Sequence, residues 1–199
     1  MHVLLSSSME GTTSDMPLAV DMDGTLILSD MSKISITKVL IRKPWLIPKV
    51  LIKEISGKRA QWKRLLAEKL IFDPADLEYH EVFLEWITGE FARGRKLILA
   101  TASDRIVAEQ VAAHVGLFSD VMASDRDFNL RGLQKADALV ARYGLKKFAY
   151  AGNSHHDIDV WKHCGQVIVV NPEKGLLDKV GDSVDFIFDP KNEIDRTMI

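Results

Sequence analysis

The sequence predicts an α/β fold, a doubly wound parallel sheet with a small helical cap inserted after the first strand. Short apolar runs that fit buried strands alternate with helical patterns, which is typical of parallel sheets joined by right-handed crossovers. The first run ends in two carboxylates, Asp21 and Asp23, and Gly24 then allows a tight turn. A long helical stretch follows. With 199 residues, the chain is long enough for one well-buried Rossmann-like domain and an insertion.

Six apolar runs are predicted to form the strands of this sheet. Each run is short and rich in apolar residues, as expected of strands that are covered on both faces. The runs comprise residues 18–22, 96–101, 121–124, 148–152, 167–170 and 185–188, the last at an edge.

Helices are predicted between the later strands. Ser103 with Asp104 can cap a helix from residue 105 to about 115, which Gly116 ends. A second helix is predicted over 133–143 and a shorter helical turn over 157–163.

These elements divide the chain into a tail, a core and a cap. Residues 1–16 are rich in Ser, Thr and Met and have no periodicity, so we predict a flexible tail. Residues 30–93 have a helical pattern broken by two prolines, and they are predicted to form the helical cap. The core then consists of residues 17–29 and 94–199.

The predicted cap differs from the rest of the chain in charge. Between Met31 and Leu70, eleven Lys and Arg residues stand against two Glu, which gives a net charge of +9. The rest of the chain carries 15 basic and 26 acidic residues, or −11. Such a segment can be an ordinary solvated face or can attract anions. Because the basic residues of this segment are interleaved with apolar ones between Trp45 and Ile52, it also fits an anionic membrane surface.

The composition argues against secreted, membrane-spanning and nucleic-acid-binding proteins. Cys164 is the only cysteine, so no intramolecular disulfide is possible and a reducing compartment is expected. The first residues lack the basic leader of a secretory signal. The most apolar stretch, residues 39–55, is interrupted well short of the roughly 20 apolar residues that span a bilayer. No groove-reading module for nucleic acid is recognisable. We therefore predict a soluble, cytoplasmic protein.

Functional side chains are predicted where the strands end. Asp21 and Asp23 follow the first strand, Thr101 ends the second, Lys135 opens the helix before the fourth, and an acidic loop through Asp157 follows the fourth. Because neighbouring strand ends of a parallel sheet meet at one rim, these groups can converge. Two close carboxylates favour a bound cation, while a hydroxyl and an ammonium suit the oxygens of a phosphoryl group. The set predicts a metal site for phosphate chemistry, in which a free carboxylate attacks phosphorus.

In this order, the motifs resemble those of the haloacid dehalogenase superfamily, in its phosphatase branch. The matching stretches are Asp21-Met-Asp-Gly-Thr-Leu, Thr101 after an apolar strand, Lys135, and Gly152-Asn-Ser-x-x-Asp157. The helical insertion lies where that superfamily carries its C1 cap.

A narrower resemblance involves the cap as well. Arg42-Lys-Pro-Trp-Leu, Leu99-Ala-Thr-Ala-Ser and the stretch from Gly152 to Trp161 are similar to the phosphatase-like domain that precedes a polyprenyltransferase membrane domain in bacterial proteins. In proteins of that kind, this domain is one part of a longer chain.

The resemblance also implies a role for each matching residue. Asp21 would be the nucleophile that forms an aspartyl-phosphate, and Asp23 would protonate the leaving oxygen and then activate water. The residues that hold the transferring phosphoryl group would be Thr101, Ala102 and Lys135. The ligands of Mg²⁺ would be Asp21, the backbone carbonyl of Asp23, Asn153 and Asp157.

One position departs from the pattern of the superfamily. Where an acid is usual, this chain has Asn153, so a negative charge is missing from the predicted metal site. An amide oxygen can still bind Mg²⁺, but its electrostatic attraction is weaker. We expect this difference to affect both metal affinity and rate.

The sequence therefore predicts a Mg²⁺-dependent phosphatase that acts on a small phosphorylated substrate, such as a sugar or polyprenyl phosphate. Two alternatives stay open. Asn153 favours a catalytically weak module that binds a phosphorylated ligand and serves a membrane prenyltransferase. A phosphomutase would require the phosphoenzyme to persist. The basic cap and the resemblance together predict peripheral contact with an anionic membrane, at its inner face, or with a membrane prenyltransferase domain.

Overall fold

The computed structural model describes residues 16–69 and 72–189 and contains one six-stranded parallel sheet. Its strands follow the order β3-β2-β1-β4-β5-β6, so the winding reverses between β1 and β4. This arrangement confirms the predicted doubly wound, Rossmann-like α/β fold with the last strand at an edge. The strands are β1 (Leu18–Val20), β2 (Leu97–Asp104), β3 (Asp120–Ser124), β4 (Ala149–Gly152), β5 (Gln166–Val170) and β6 (Phe186–Phe188).

Two strands differ from the prediction by two residues in length, and the other four differ by one. The first is shorter, because the Met22 carbonyl accepts hydrogen bonds from the N–H groups of Thr25 and Ile27 and so begins a turn. The second is longer, because its pairing with β3 resumes at Asp104 after a register shift that follows Thr101. Both changes lie at the carboxyl ends of the strands.

Helices connect the strands and cover both faces of the sheet. The helices are α1 (Met31–Arg42), α2 (Ile47–Ile55), α3 (Arg59–Lys69), α4 (Glu81–Ala92), α5 (Arg105–Val115), α6 (Leu133–Tyr143), α7 (Ile158–Trp161) and α8 (Leu176–Val180). Both α5 and α6 have the predicted bounds. For α5, the reason is local: the Asp104 side chain accepts the Ile106 N–H, and Gly116 adopts a left-handed conformation.

The helical turn predicted over 157–163 begins earlier and ends earlier. A 3-10 turn, His155–Asp157, precedes α7, and Ser154 and Asp157 form a reciprocal capping box at its start. The residue that caps the start of this helical turn is therefore Ser154.

The core lies on both faces of the sheet. Leu18 and Val20 point into one apolar cluster, which also contains α4 and α5, while Ala19 points into the cluster under α6 and α7. In the first cluster, Phe83 of α4 packs edge-on against Phe188, with ring centroids 5.3 Å apart. This helix therefore packs on the sheet although it belongs to residues 30–93.

The helices α1, α2 and α3 form a separate small apolar cluster around Val39, Leu46, Trp62 and Leu66. We call these three helices the lid. The predicted boundaries of tail, core and cap stay a prediction, and the predicted tail lies outside the described residues apart from Met16. Across residues 16–69 and 72–189, no helix combines the length and the apolar character that crossing a membrane requires.

Candidate active site

A cavity of about 330 Å³ opens at the carboxyl ends of β1 and β4, where the strand order reverses. Open α/β sheets bind ligands at this place. Both the core and the lid contribute to its wall. Six of the seven predicted site residues line it, namely Asp21, Asp23, Ala102, Lys135, Asn153 and Asp157.

The floor of the cavity is a buried cluster of four hydrogen-bonded side chains. The Lys135 ammonium donates to Asp21 Oδ1 at 2.9 Å and to the Tyr150 hydroxyl at 2.8 Å. Tyr150 in turn donates to Asp157 Oδ1 at 2.6 Å. Because burial raises the pKa of Tyr150 well above its ordinary value, its hydroxyl stays protonated and remains a donor. The cluster thus brings together Asp21, Lys135 and Asp157, which belong to three separate predicted motifs.

Asp157 receives hydrogen bonds on both of its carboxylate oxygens. Its Oδ2 accepts from the backbone N–H groups of Asn153 and Ser154, at 3.1 and 2.9 Å, and from Ser154 Oγ at 2.8 Å. A Cβ at Gly152 would lie 2.7 Å from the Asp157 Cγ, so only glycine fits there. This arrangement favours Asp157 as the residue that orients Lys135, Tyr150 and the following loop. Direct binding of a metal by Asp157 stays a prediction.

Asp23 connects the core to the lid. Its Oδ1 accepts the Met31 N–H, at the start of α1, at 2.6 Å, and its Oδ2 accepts from Ser103 Oγ at 2.7 Å. The turn between Asp23 and α1 depends on Gly24, which has a φ of 77°. A Cβ there would lie 2.2 Å from Asn153 Nδ2, so the amide of Asn153 packs directly on this turn.

Two carboxyl groups of this site, those of Asp21 and Asp23, are unusually hard to ionise. Burial raises the pKa of Asp21 to about 7, although the nearby Lys135 ammonium opposes the shift. Burial also raises the pKa of Asp23, although the hydrogen bonds from Ser103 and Met31 oppose it. A further cation beside Asp21 would stabilise both groups as carboxylates.

The donor set at the cavity suits a magnesium ion that keeps several waters. Among the residues that the structure describes, no three His, Cys, Asp or Glu side chains are grouped to hold a metal. Asn153 lines the cavity together with Asp21 and Asp23. All three offer oxygen, which Mg²⁺ prefers, and Mg²⁺ needs only a few protein ligands.

Thr101 is the predicted site residue that does not line the cavity. Its side chain is fully buried, and its Oγ1 accepts the Ser103 N–H at 3.0 Å. Ala102, the next residue, lies along the cavity instead. Binding of a phosphoryl group by Thr101 stays a prediction.

Several residues at the site were not predicted from the sequence. Lys63 of α3 donates to the Ala102 carbonyl at 2.7 Å, and burial lowers its pKa, although the Asp23 carboxylate opposes this. Arg59, one turn earlier, and Arg131 also line the cavity. The four-residue spacing of Arg59 and Lys63 places them on one helix face, but it does not distinguish them from the other basic residues of the lid.

No protein-family model matches the chain. A relative, the uncharacterized protein y4nM of Sinorhizobium fredii, is 29% identical over 155 residues, which cover 78% of this chain and 30% of that protein. The chain therefore spans less than a third of the length of this relative.

Solved structures with very different sequences share the fold. A protein of unknown function from Bordetella pertussis Tohama I has a TM-score of 0.66 and 15% identity, covering 87% of this chain and 97% of that one. A HAD family hydrolase from Salmonella enterica serovar Typhi has a TM-score of 0.60 and 16% identity, covering 87% and 68%. A substrate-bound phosphoserine phosphatase has a TM-score of 0.60 and 15% identity, covering 93% and 99%. The chain has the fold of the HAD family hydrolases. At these identities the likeness extends to the fold alone.

Proposed function

We propose that the chain is a Mg²⁺-dependent phosphatase, in which Asp21 attacks the phosphorus of a small phosphorylated substrate and water then releases phosphate. The observation that carries the proposal is the Asp21 carboxylate, held 2.9 Å from the Lys135 ammonium on the floor of a 330 Å³ cavity. The shared fold supports it, because structures with that fold include a phosphoserine phosphatase.

The residues around the Asp21 carboxylate have different roles in this reaction. Lys135 orients the Asp21 carboxylate and supplies a positive charge for the oxygens of the transferring group. Asp23 is the general acid and base, and its raised pKa brings it closer to the range in which such a group works at neutral pH. Bound Mg²⁺, held by Asp21, the Asp23 carbonyl and Asn153, would neutralise charge on the phosphoryl group.

The lining of the cavity supports an anionic, polar substrate. Arg59, Lys63 and Arg131 add three basic side chains around the cluster. Among the described residues of the cavity wall, Leu28 and Ala102 are the ones with apolar side chains. A sugar phosphate, or the phosphate end of a polyprenyl phosphate, fits this lining better than an isoprenoid chain does.

A phosphatase screen tests the proposal. The chain is incubated with sugar, nucleotide and polyprenyl phosphates, with Mg²⁺ or with a chelator, and inorganic phosphate is measured. We expect release that depends on Mg²⁺ and is largest for one substrate class. Conversion of a sugar phosphate into an isomer without release of phosphate would instead identify a phosphomutase.

A catalytically weak binding module is the second candidate, because Asn153 stands where the resembling superfamily usually has an acid, so the predicted metal site lacks one negative charge. Such a module would bind a phosphorylated ligand and serve a membrane prenyltransferase. A chain that releases no phosphate in the screen, yet is stabilised against heat by one of the same compounds, would have this function.

A further inference from the structure

We propose that the outer face of the lid docks on an anionic membrane surface. We define this outer lid face by five strongly exposed apolar side chains, which belong to α2, to the end of α1 and to the 3-10 turn Pro44–Leu46 between them. They are Ile41, Trp45, Leu51, Ile52 and Ile55, with exposed fractions of 76%, 68%, 54%, 64% and 86%. Isolated exposed apolar residues are ordinary, but a contiguous group of this kind marks an interaction surface.

The helix α2 is amphipathic, and its two faces have different partners. One side, with Ile47 and Val50, packs against the small apolar cluster of the lid. Leu51, Ile52 and Ile55 lie outside this packed side, and they remain exposed although they are as apolar as the packed residues. The fold of the chain therefore accounts for one side of α2 and leaves the other without an intramolecular partner among the described residues.

The charge around this face favours an anionic surface. Arg42, Lys49 and Lys58 are exposed beside the apolar residues. The one acid of this region, Glu54, accepts a hydrogen bond from Trp62 Nε1 at 2.5 Å and pairs with Arg59 at 3.5 Å. Because Glu54 already has these partners, it does not neutralise the basic side chains around the outer lid face. Basic side chains beside apolar ones are the composition of helices that lie in the interface of anionic bilayers.

A second copy of the chain fits this face less well. In a twofold dimer the same patch meets itself, so the basic residues of two lids would face each other. Because residues 31–69 carry eleven basic and two acidic side chains, such a contact brings like charges together. A bilayer with acidic headgroups supplies both an apolar region for the exposed apolar side chains and negative charge for the basic ones.

Vesicle co-sedimentation tests the proposal with the full chain. The vesicles are made of phosphatidylcholine alone or with 30 to 40% phosphatidylserine, about the range in which anionic attraction is strong. We expect binding to the anionic vesicles only. This binding should decrease steeply once added salt has shortened the Debye length to less than about 10 Å.

Two variants separate the apolar and the basic contributions. Ile52→Gln with Ile55→Gln should remove most of the binding, and Arg42→Glu with Lys49→Glu and Lys58→Glu should weaken it about tenfold or more. The matched controls make equal changes elsewhere on the surface. They are Leu145→Gln with Ile187→Gln, and Lys147→Glu with Lys162→Glu and Lys179→Glu, which should bind like the unchanged chain. The altered side chains are exposed, so thermal unfolding should stay the same.

Several results would overturn the proposal. These are equal binding to neutral and anionic vesicles, binding to neither, and equal weakening by the lid variants and their controls. Sedimentation as a dimer that Ile52→Gln with Ile55→Gln dissociates would show that a second copy occupies the face. Phosphatase activity in solution is measured separately, so failure of the proposed enzymatic function leaves this test unaffected.

Discussion

Two clusters of buried charge lie at opposite ends of the same parallel sheet. At the amino ends of the strands, the buried Arg95 guanidinium pairs with Glu90 at 2.6 Å and donates to the Met16 carbonyl at 2.9 Å and to Gln166 at 2.7 Å. All three of its nitrogens have partners within the chain, so this cluster is closed. At the carboxyl ends, Asp21 and Asp157 share one ammonium, that of Lys135, and the cluster opens into a cavity.

The pKa shifts of the two clusters have opposite signs although both clusters are largely buried. Burial would raise the pKa of Glu90, but hydrogen bonds from Arg93 and Arg95 outweigh it and hold that pKa below its ordinary value. At Asp21, burial outweighs the single ammonium and the pKa rises to about 7. The difference indicates which cluster is complete by itself and which one requires a ligand to balance its charge.

The largest expected effect is at the open cluster. Asp21→Asn removes the nucleophile and keeps its shape, so kcat should fall on the order of 10⁴-fold or more. The free energy of unfolding should fall little, because a buried carboxyl group with a raised pKa is replaced by a neutral amide. Phosphate release and urea unfolding measure the two. A variant that keeps most of its activity would remove Asp21 from the reaction.

The next effect is at the closed cluster. Arg95→Met should lower the free energy of unfolding by about 3–5 kcal/mol, because it leaves Glu90 Oε2 buried without its partner. Arg93→Met is the matched control, since Arg93 pairs with the same carboxylate from an exposed position, and it should cost under about 1 kcal/mol. Equal losses for the two variants would contradict the account of this cluster. The folded fraction of either variant should keep its activity.

The comparison also shows what the sequence predicts well. Apolar runs gave the right number and order of strands, and the local signals at Asp104 and Gly116 placed the ends of α5 correctly. Asp21 and Lys135 are far apart in the chain, but both lie at strand ends, so the parallel sheet alone explains why they meet.

The remaining contacts depend on side-chain packing that no local pattern encodes. Tyr150 lies within an apolar strand, and nothing in the sequence around it indicates that its hydroxyl meets Lys135. Arg95 stands in a polar stretch before β2, where a solvated residue is the default expectation. Ser103 reaches Asp23 only because β2 extends beyond Thr101. The contacts of these three residues could therefore be identified only from the tertiary structure.

A smaller effect is expected from Tyr150→Phe. The change deprives both Lys135 and Asp157 of a hydrogen-bond partner, which should cost about 1–3 kcal/mol of stability and, by our estimate, reduce kcat about tenfold. Tyr79→Phe is the control, because its hydroxyl donates to the Pro74 carbonyl away from the cavity. Steady-state kinetics and urea unfolding distinguish the two. If both variants keep full activity, the tyrosine does not position Lys135.

Asn153→Asp tests the missing charge of the open cluster. A carboxylate should tighten Mg²⁺ binding about tenfold, since each added charge on a ligand raises affinity for a hard cation. Asn171→Asp adds the same charge in the same cavity, where Asn171 contacts the Gly24 carbonyl, and it should tighten binding less. Calorimetric titration with Mg²⁺ compares them. Equal tightening would show a general effect of charge rather than a ligand at position 153.

The smallest effect concerns pH and the closed cluster. Because the folded state holds the pKa of Glu90 below its ordinary value of about 4.3, ionised Glu90 stabilises the fold above that pH. This stabilisation is lost as the pH falls through the folded-state pKa. The difference in unfolding free energy between the unchanged chain and Glu90→Gln should therefore shrink from pH 6 to pH 3, by equilibrium unfolding. A difference that stays constant would contradict the assigned shift.

The most direct test of the open cluster as a phosphoryl-transfer site is to trap the phosphoenzyme. The chain is mixed with Mg²⁺ and a substrate found in the screen, quenched in acid and reduced with borohydride, which converts an acyl phosphate into an alcohol. Peptide mass spectrometry then locates the reduced residue. The account predicts reduction at Asp21, only with substrate and Mg²⁺ present, and none in Asp21→Asn. Turnover with reduction at another residue, or with no reduction at any carboxylate, would contradict it.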